Sequence, residues 1–306
     1  MTSQLGIEIN SIRKERSEMK KALIIGSGPA GISASLYLAR SGTAEVTIIT
    51  NGKSSLEKAE KIENYFGFAG PVSGKELLRN GRAGAERLGV RFHDTELLEL
   101  NITPSLSFEA VTPDGRETFD AVLIAAGAAR KAPPIKGLKE FEGRGISYCA
   151  VCDAFFYRGK PVAVIGSGEY AMHEAVTLLQ TSSSVTVLTN GEEPAGSRPE
   201  GIGYRTGKIS EIAGDSKVHS VLFEDGSSLS VEGVFVAVGA AGSDDIARKT
   251  GIASDSGKII TDSGMATNVP GIYAAGDCTG GLMQISKAVS DGAIAAMSMI
   301  RFLKNN

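Results

Sequence analysis

The sequence predicts an α/β protein made of two Rossmann-like, three-layer units, each a parallel sheet covered by helices and short antiparallel strands. Three observations predict it. A short apolar run, Ala22-Leu23-Ile24-Ile25, leads directly into Gly26-Ser27-Gly28-Pro29-Ala30-Gly31. A second run, Pro161 to Ile165, leads into Gly166-Ser167-Gly168-Glu169-Tyr170-Ala171. Beyond each loop, a helical stretch and a further strand end on the same three residues, Thr50-Asn51-Gly52 and Thr189-Asn190-Gly191, so the chain carries an internal duplication. Continuous apolar runs bounded by glycine turns are the pattern of strands buried on both faces.

In the first unit the three glycines have separable tasks. Gly26 makes the turn, Gly28 lets the backbone approach a pyrophosphate, and Gly31 lets helix and strand pack closely. The helix that follows, from Ile32 with Leu36 and Ala39 on the same side, points its N-terminal amides and positive dipole end at the bound phosphates. Strand Glu45 to Thr50 completes a βαβ unit. It ends without the acidic residue expected to hold a ribose hydroxyl, so Asn51 or the loop after it takes that role, or nothing does.

Lys58 to Phe68 reads as a loop carrying Asn64, Tyr65 and Phe66, and Ser73 caps an amphipathic helix running to Leu88. Short strands lie between Val90 and Val111, with a hairpin turn at Pro113-Asp114-Gly115. Ala121 to Ala125 is another buried strand, closing on Ala126-Gly127, and Pro133-Pro134 marks a hinge. In the second unit a helix runs through Leu179 to a strand at Val185 to Thr189. A meander follows (Val218 to Phe223, Ser228 to Val231), then a buried strand from Val234 to Val238. Gly271 to Asp277 leads into a last helix, Gln284 to Leu303. Its buried stripe is Ile285, Ala288, Val289, Gly292, Ala296, Met299, Ile300 and Leu303.

Between the two glycine loops lies Cys149-Ala150-Val151-Cys152-Asp153. Two thiols at this spacing can close and reopen a small disulfide ring, and the same spacing serves zinc. The chain has three cysteines and three histidines. Only Cys278 is left for a second pair, and His93, His173 and His219 show no ligand spacing, so no metal is expected. A working redox pair is favoured over an inert buried one because a nucleotide loop lies on either side.

The totals agree with this reading. The 306 residues suffice for two cores, and a net charge of -3 offers nucleic acid no basic face. No apolar run approaches the roughly 18 residues of a membrane span, so no membrane partner is expected. Residues 1–19 form a charged arm without the apolar core of a secretory signal. Three cysteines, two of them a candidate redox pair, suit the reducing cytoplasm.

GSGPAG near the start, CAVCD before FFYRGK, a second G-x-G-x-x-A and AAGD about thirty residues from the end together resemble the low-molecular-weight thioredoxin reductase family, over nearly everything from Lys20 to Asn306. The resemblance implies a thioredoxin-reductase-like flavoprotein disulfide oxidoreductase. Its FAD-binding domain is discontinuous (20–131 and 243–306) and encloses an NAD(P)H-binding-like domain (132–242) that carries the cysteines. It implies that Cys152 faces the flavin, that Cys149 attacks the disulfide of thioredoxin or a similar small dithiol protein, and that Asp153 donates and accepts the proton. The alternative for Asp153 is a helix N-cap. It further implies that Gly276-Asp277 contacts the FAD ribityl and phosphate, that Gln284-Ile285 lies near the flavin ring, and that the protein is a homodimer whose CxxC domain swings about hinges at 131–134 and 241–244.

One departure bears on the electron donor. Relatives that use NADPH carry a His-Arg-Arg run after the strand of the second unit, whereas this chain has Thr189-Asn190-Gly191-Glu192-Glu193-Pro194. Two carboxylates there repel a 2′-phosphate. The resemblance is therefore closest to a pyridine-nucleotide-independent branch of the family. The donor is expected to be a ferredoxin- or flavodoxin-type protein, or a second FAD held by Gly166, Gly168, Glu169, Tyr170, Ala171 and Asn190. NADH stays open, because Glu192 could bind a ribose diol. Tyr170 would crowd or stack on a nucleotide there, or simply be an aromatic of the helix's first turn. His173 and Glu174 read as ordinary helix residues and Cys278 as a buried core thiol. The functional alternatives are an NADH-dependent thioredoxin reductase and a diflavin electron-transfer or redox-sensing protein without thioredoxin turnover.

Overall fold

Two five-stranded parallel sheets organise the chain, and each has one face covered by helices and the other by a three-stranded antiparallel meander. The computed structural model describes residues 19–52, 54–128, 132–195, 198–239 and 241–306. The expected arm, apart from Met19, and Lys131 of the expected hinge lie outside the described residues.

The first sheet takes strands β1 (Lys20–Ile25), β2 (Ala44–Thr50), β3 (Arg91–Asp94), β7 (Ala121–Ile124) and β18 (Ile272–Ala274) in the order β18-β7-β1-β2-β3. All its pairings are parallel. Alternate residues face opposite layers. Ala22, Ile24, Ile48 and Leu123 pack under helices α1 (Pro29–Ser41) and α6 (Ile285–Asn305). Leu23, Ile25, Ile49, Val122 and Ile124 pack against Phe108 and Phe119 of the meander β4 (Glu99–Ile102), β5 (Phe108–Thr112), β6 (Gly115–Phe119). Helix α2 (Gly74–Arg87) begins at Ser73, whose hydroxyl accepts from the Glu76 amide at 3.2 Å. The two covering helices approach closely: Gly292 of α6 lies on the Ala30 carbonyl, leaving no room for a side chain, and the Ser33 hydroxyl donates to the Val289 carbonyl at 2.7 Å.

The second sheet has the order β11-β10-β9-β15-β8, from β8 (Ile146–Ser147), β9 (Pro161–Ile165), β10 (Ser184–Leu188), β11 (Ile202–Arg205) and β15 (Gly233–Val236). Helix α4 (Glu169–Leu179) covers one face, and the meander β12 (Ile209–Gly214), β13 (Val218–Phe223), β14 (Ser228–Ser230) covers the other. A one-turn helix α3 (Ala150–Asp153) holds the cysteine motif. Helix α5 (Ser243–Thr250) follows the second sheet but packs Ile246 and Ala247 into the core of the first, with a short hairpin β16 (Ser254–Asp255), β17 (Lys258–Ile259) after it.

Several elements were not expected from the sequence. β8 has only two residues and β11 only four, too short for a periodic signal, and β12 pairs with β13 through two register irregularities that blur its alternation. In α6 the expected stripe holds at Ala288, Gly292, Ala296, Met299, Ile300 and Leu303, whereas Ile285 and Val289 are only half-buried because they sit near the helix's exposed first turns.

Candidate active site

Cys149 and Cys152 are joined in a disulfide with Cα atoms 5.3 Å apart. Cys149 sits in extended backbone (φ −144°, ψ 102°) as the N-cap of α3, and the Cys152 amide donates to its sulfur at 3.1 Å. Cys149 is 2% exposed, while Cys152 is open to solvent. Asp153 does not cap the turn that follows it. Its carboxylate instead accepts a hydrogen bond of 2.7 Å from the Ser147 hydroxyl, which in turn accepts from the Cys149 amide at 3.1 Å. One serine therefore ties a carboxylate to the backbone of the buried sulfur. Nothing in the sequence pattern singled out Ser147.

Glu174 is the larger surprise. A sequence reading makes it an ordinary helix residue, but its side chain is buried and both oxygens are engaged. One accepts from the Ala150 amide at 2.9 Å and the other from the Lys249 ammonium at 2.6 Å. His173 beside it donates to Glu99 at 2.9 Å, so it too is more than a surface position. On the outer side of the motif Val151, Phe155 and Phe156 are exposed, an apolar rim next to the open sulfur. Cys278 is fully buried, its thiol donating to the carbonyls of Ile124 and Ala275, and burial pushes its pKa up to about 12.

The residues expected to hold FAD meet at the C-terminal ends of β1, β2, β7 and β18. Gly26, at φ +106°, lies against the Ala125 carbonyl and Ala126, and Gly31 against the Gly26 carbonyl; neither could carry a side chain. Gly28 is bare: a Cβ there would meet nothing within 4 Å. Helix α1 starts with Pro29 and Ala30, without an acidic residue in its first turn or a side-chain cap. Ser27 and Thr50 share a hydrogen bond of 2.8 Å, and Thr50 accepts from the Gly52 amide next to Asn51. Gly127 has φ +76° and Gly276 φ +86°; a side chain on Gly276 would press on Ala30. Lys287, unforeseen from the sequence, donates to the carbonyls of Gly276 and Gly280 and pairs with Asp291, which accepts from the Gly276 amide, so the turn around Asp277 is pinned from α6. Asn64 donates to Gln284, next to Ile285, at 3.1 Å. A bare glycine facing an uncapped helix start fits a pyrophosphate, and the residues present fit FAD.

The second loop is built differently. Gly166 lies against the Ala237 carbonyl and the Ala171 methyl. Tyr170 does not reach over the loop: its ring is 1% exposed within the core, under the Lys249 ammonium at 4.9 Å. The stretch after β10 folds back on the loop, with Glu192 accepting from the Ser167 hydroxyl and the Ala195 amide donating to the Ser167 carbonyl. Asn190, at φ +53°, spends its side-chain oxygen on the Ile209 amide. Glu96, from the first unit, reaches Gly168 and the Tyr170 amide, beside Glu169. Among the described residues no His/Cys/Asp/Glu group could hold a metal ion, and no helix is long and apolar enough to cross a membrane.

Residues 20–292 match the family described as pyridine nucleotide-disulphide oxidoreductase. The thioredoxin reductase of Aquifex aeolicus (strain VF5) is 34% identical over 315 residues, covering 96% of each chain. Among solved structures, the atypical thioredoxin reductase TRi from Desulfovibrio vulgaris Hildenborough superposes with a TM-score of 0.87 at 37% identity, covering 94% of this chain and 99% of that one. A ferredoxin-flavin thioredoxin reductase from Clostridium acetobutylicum gives 0.72 at 29% identity, covering 94% and 100%. With a cysteine pair closed beside a buried carboxylate and a glycine loop bared for a dinucleotide, the chain belongs to the pyridine nucleotide-disulphide oxidoreductase family, as a thioredoxin-reductase-like flavoprotein disulfide oxidoreductase whose implied cofactor is FAD.

Proposed function

We propose that this protein reduces thioredoxin, or a similar small dithiol protein, and that a ferredoxin- or flavodoxin-type protein rather than a pyridine nucleotide supplies its electrons. The observation that carries the donor reading is the second glycine loop, whose hydroxyl and carbonyl at Ser167 are taken by Glu192 and Ala195 of the same unit. NADPH entering there would meet carboxylates where its 2′-phosphate needs guanidinium groups, and NADH would have to break the Glu192–Ser167 contact before that carboxylate could take its ribose. The likeness to thioredoxin reductases along the whole chain supports the substrate reading, and the solved ferredoxin-flavin enzyme among its structural relatives supports a protein donor.

FAD, when bound, supplies the two electrons that open the Cys149–Cys152 bond. The chain's own groups do the rest. Opening leaves two sulfurs, one of which takes a proton that Asp153, oriented by Ser147, holds and returns. Cys149 is buried in the conformation described, so the expected swing of the CxxC domain must first uncover it. Its thiolate then attacks one sulfur of the partner's disulfide, forming a mixed disulfide and releasing the partner's other sulfur as a thiolate. The Cys152 thiolate then attacks Cys149, re-forming the pair and releasing the partner's second thiol. Val151, Phe155 and Phe156 offer that partner an apolar contact surface beside the motif. The homodimer and the cytoplasmic setting belong to the same proposal; Tyr37, Ile294 and Met297 are exposed on α1 and α6 as a surface for a second copy.

The test is an anaerobic donor screen on the purified yellow protein. Reduced ferredoxin or flavodoxin is expected to bleach the flavin and drive thioredoxin reduction, while NADH and NADPH do neither. Rapid stoichiometric bleaching by either nucleotide would overturn the donor reading. A flavin-to-chain ratio near two would place a second flavin in the second unit instead. Cys149→Ser and Cys152→Ser are expected to keep flavin and lose turnover; full activity in both would remove the redox pair from the reaction.

A further inference from the structure

The chain contains two copies of one phosphate-binding motif, and they are in different states. At the first, nothing lies within 4 Å of a Cβ position on Gly28, and the first turn of α1 is free of acidic residues. At the second, the two carboxylate oxygens of Glu96 lie 3.7 and 3.8 Å from the corresponding position on Gly168, and the Tyr170 amide donates to Glu96 at 3.4 Å. Gly168 is the N-cap of the eleven-residue helix α4. The bare face of that glycine, together with the helix N-terminal amides, is where this motif seats a pyrophosphate.

We infer that Glu96 is an internal stand-in for a nucleotide phosphate: it occupies the second glycine loop, keeps pyrophosphate-bearing nucleotides out of it, and uses the loop to fasten the first unit to the second. This deepens the donor reading above and supplies its physical cause. A carboxylate satisfies the same helix-end donors as a phosphate oxygen, with the same sign of charge. An incoming phosphate must first displace it, and then faces Glu169 in the first helical turn and Glu192 on Ser167. Glu96 is also not an isolated contact. It lies in the loop leading to β4, whose Glu99 holds His173 of the same helix at 2.9 Å, while Lys249 holds Glu174. Three polar contacts from the first unit thus grip successive positions of one face of α4, and the loop has become the upper end of that clamp.

The experiment compares the full-length flavoprotein with Glu96→Ala and Glu96→Gln, using ADP-ribose as the probe because it carries the pyrophosphate without the reacting ring. Calorimetric titration is expected to show ADP-ribose binding at least about tenfold tighter in Glu96→Ala than in the unsubstituted protein, with Glu96→Gln between them. Hydrogen exchange at the Tyr170 amide is expected to speed up about tenfold or more in Glu96→Ala. Equal ADP-ribose affinity in all three proteins, whether measurable or not, would overturn the inference, as would an unchanged Tyr170 amide. Where Glu96→Ala fails to retain flavin, Glu96→Gln decides alone: tighter binding by about threefold or more supports the inference and equality overturns it. Thioredoxin reduction by dithionite-reduced protein reports separately on the proposed function, and its failure leaves this binding comparison standing.

Discussion

Glu174 and Lys249 form an ion pair of 2.6 Å between the two units, with side chains 2% and 8% exposed, and the second oxygen of Glu174 holds the amide of Ala150 between the redox cysteines. The loop that must open to a protein substrate is thereby tied to the unit it rests on. Lys249→Met leaves a buried, uncompensated carboxylate and should cost about 3–5 kcal/mol. Glu174→Gln should cost a similar amount, because an amide whose oxygen still accepts from Ala150 turns its NH2 toward Lys249 and leaves the buried ammonium without a counter-charge. The double variant is expected to recover most of the Lys249→Met loss. Urea unfolding followed by flavin fluorescence and circular dichroism measures all three; a Lys249→Met change under about 0.5 kcal/mol would show that the pair is not a fastening.

The Ser147–Asp153 contact predicts a graded loss of catalysis. Asp153→Asn keeps the shape and a hydrogen-bonding group but removes the proton carrier, so disulfide turnover should fall by about 10²–10⁴-fold. Ser147→Ala removes only the group that aims the carboxylate, and a fall of about tenfold is expected, with the pH profile broadened rather than abolished. Stopped-flow oxidation of the dithionite-reduced protein by thioredoxin reads both. Losses that add in the Ser147→Ala/Asp153→Asn double variant would mean that Ser147 acts on the Cys149 backbone and not through Asp153.

What the residues disclosed and what they hid have physical causes. Gly26, Gly28 and Gly31 were legible because the motif is local: three glycines, a strand before and a helix after. Cys149, Cys152 and Asp153 were legible for the same reason. Glu96, Glu174 and Lys249 were not, because each acts across more than seventy positions of chain and no short-range pattern marks a carboxylate that will be buried by another unit. Of the two readings open for Tyr170, the aromatic of the helix's first turn is the one seen, because side-chain direction at a helix start depends on what packs behind it, here Lys249 and the core of the second unit. Lys287 and Asp291 carry no local signal either, because the turn at Gly276 that they hold lies more than ten positions away along the chain.

Burial raises the Cys278 thiol to about 12, which makes it inert at neutral pH. Of the three cysteines, none should react with a thiol reagent in the native oxidised protein at pH 8, two after reduction, and three only after reduction in denaturant. Counting thiols with a chromogenic disulfide reagent checks this directly. A third thiol titrating in the native reduced protein would mean that the layer between β7 and β18 opens to solvent.

The contact between Glu99 and His173 gives the clamp an acid limit. The imidazole N–H bonded to Glu99 is the main reason its carboxyl falls from the ordinary 4.5 to about 2; Asn101 and the charges of His173 and Lys249 add to this, against a partial penalty from burial. A carboxyl whose pKa is lower folded than unfolded binds fewer protons in the folded state. Its contribution is therefore fully present above about pH 4.5 and is lost as the pH falls toward 2. Other groups titrate in the same window: Asp94, lowered by Arg82, steepens the loss, and Asp245, raised by burial, opposes it. The variant isolates the one of interest. Glu99→Gln should flatten the stability curve between pH 4.5 and 2 by up to one proton, about 1.4 kcal/mol per pH unit, and leave the slope above pH 5 unchanged. His173→Ala should flatten the same stretch, because Glu99 then returns toward its ordinary value. Urea midpoints taken across pH 2.5 to 6 would decide it, and an unaltered slope in Glu99→Gln would mean that the two units do not meet through this pair in solution.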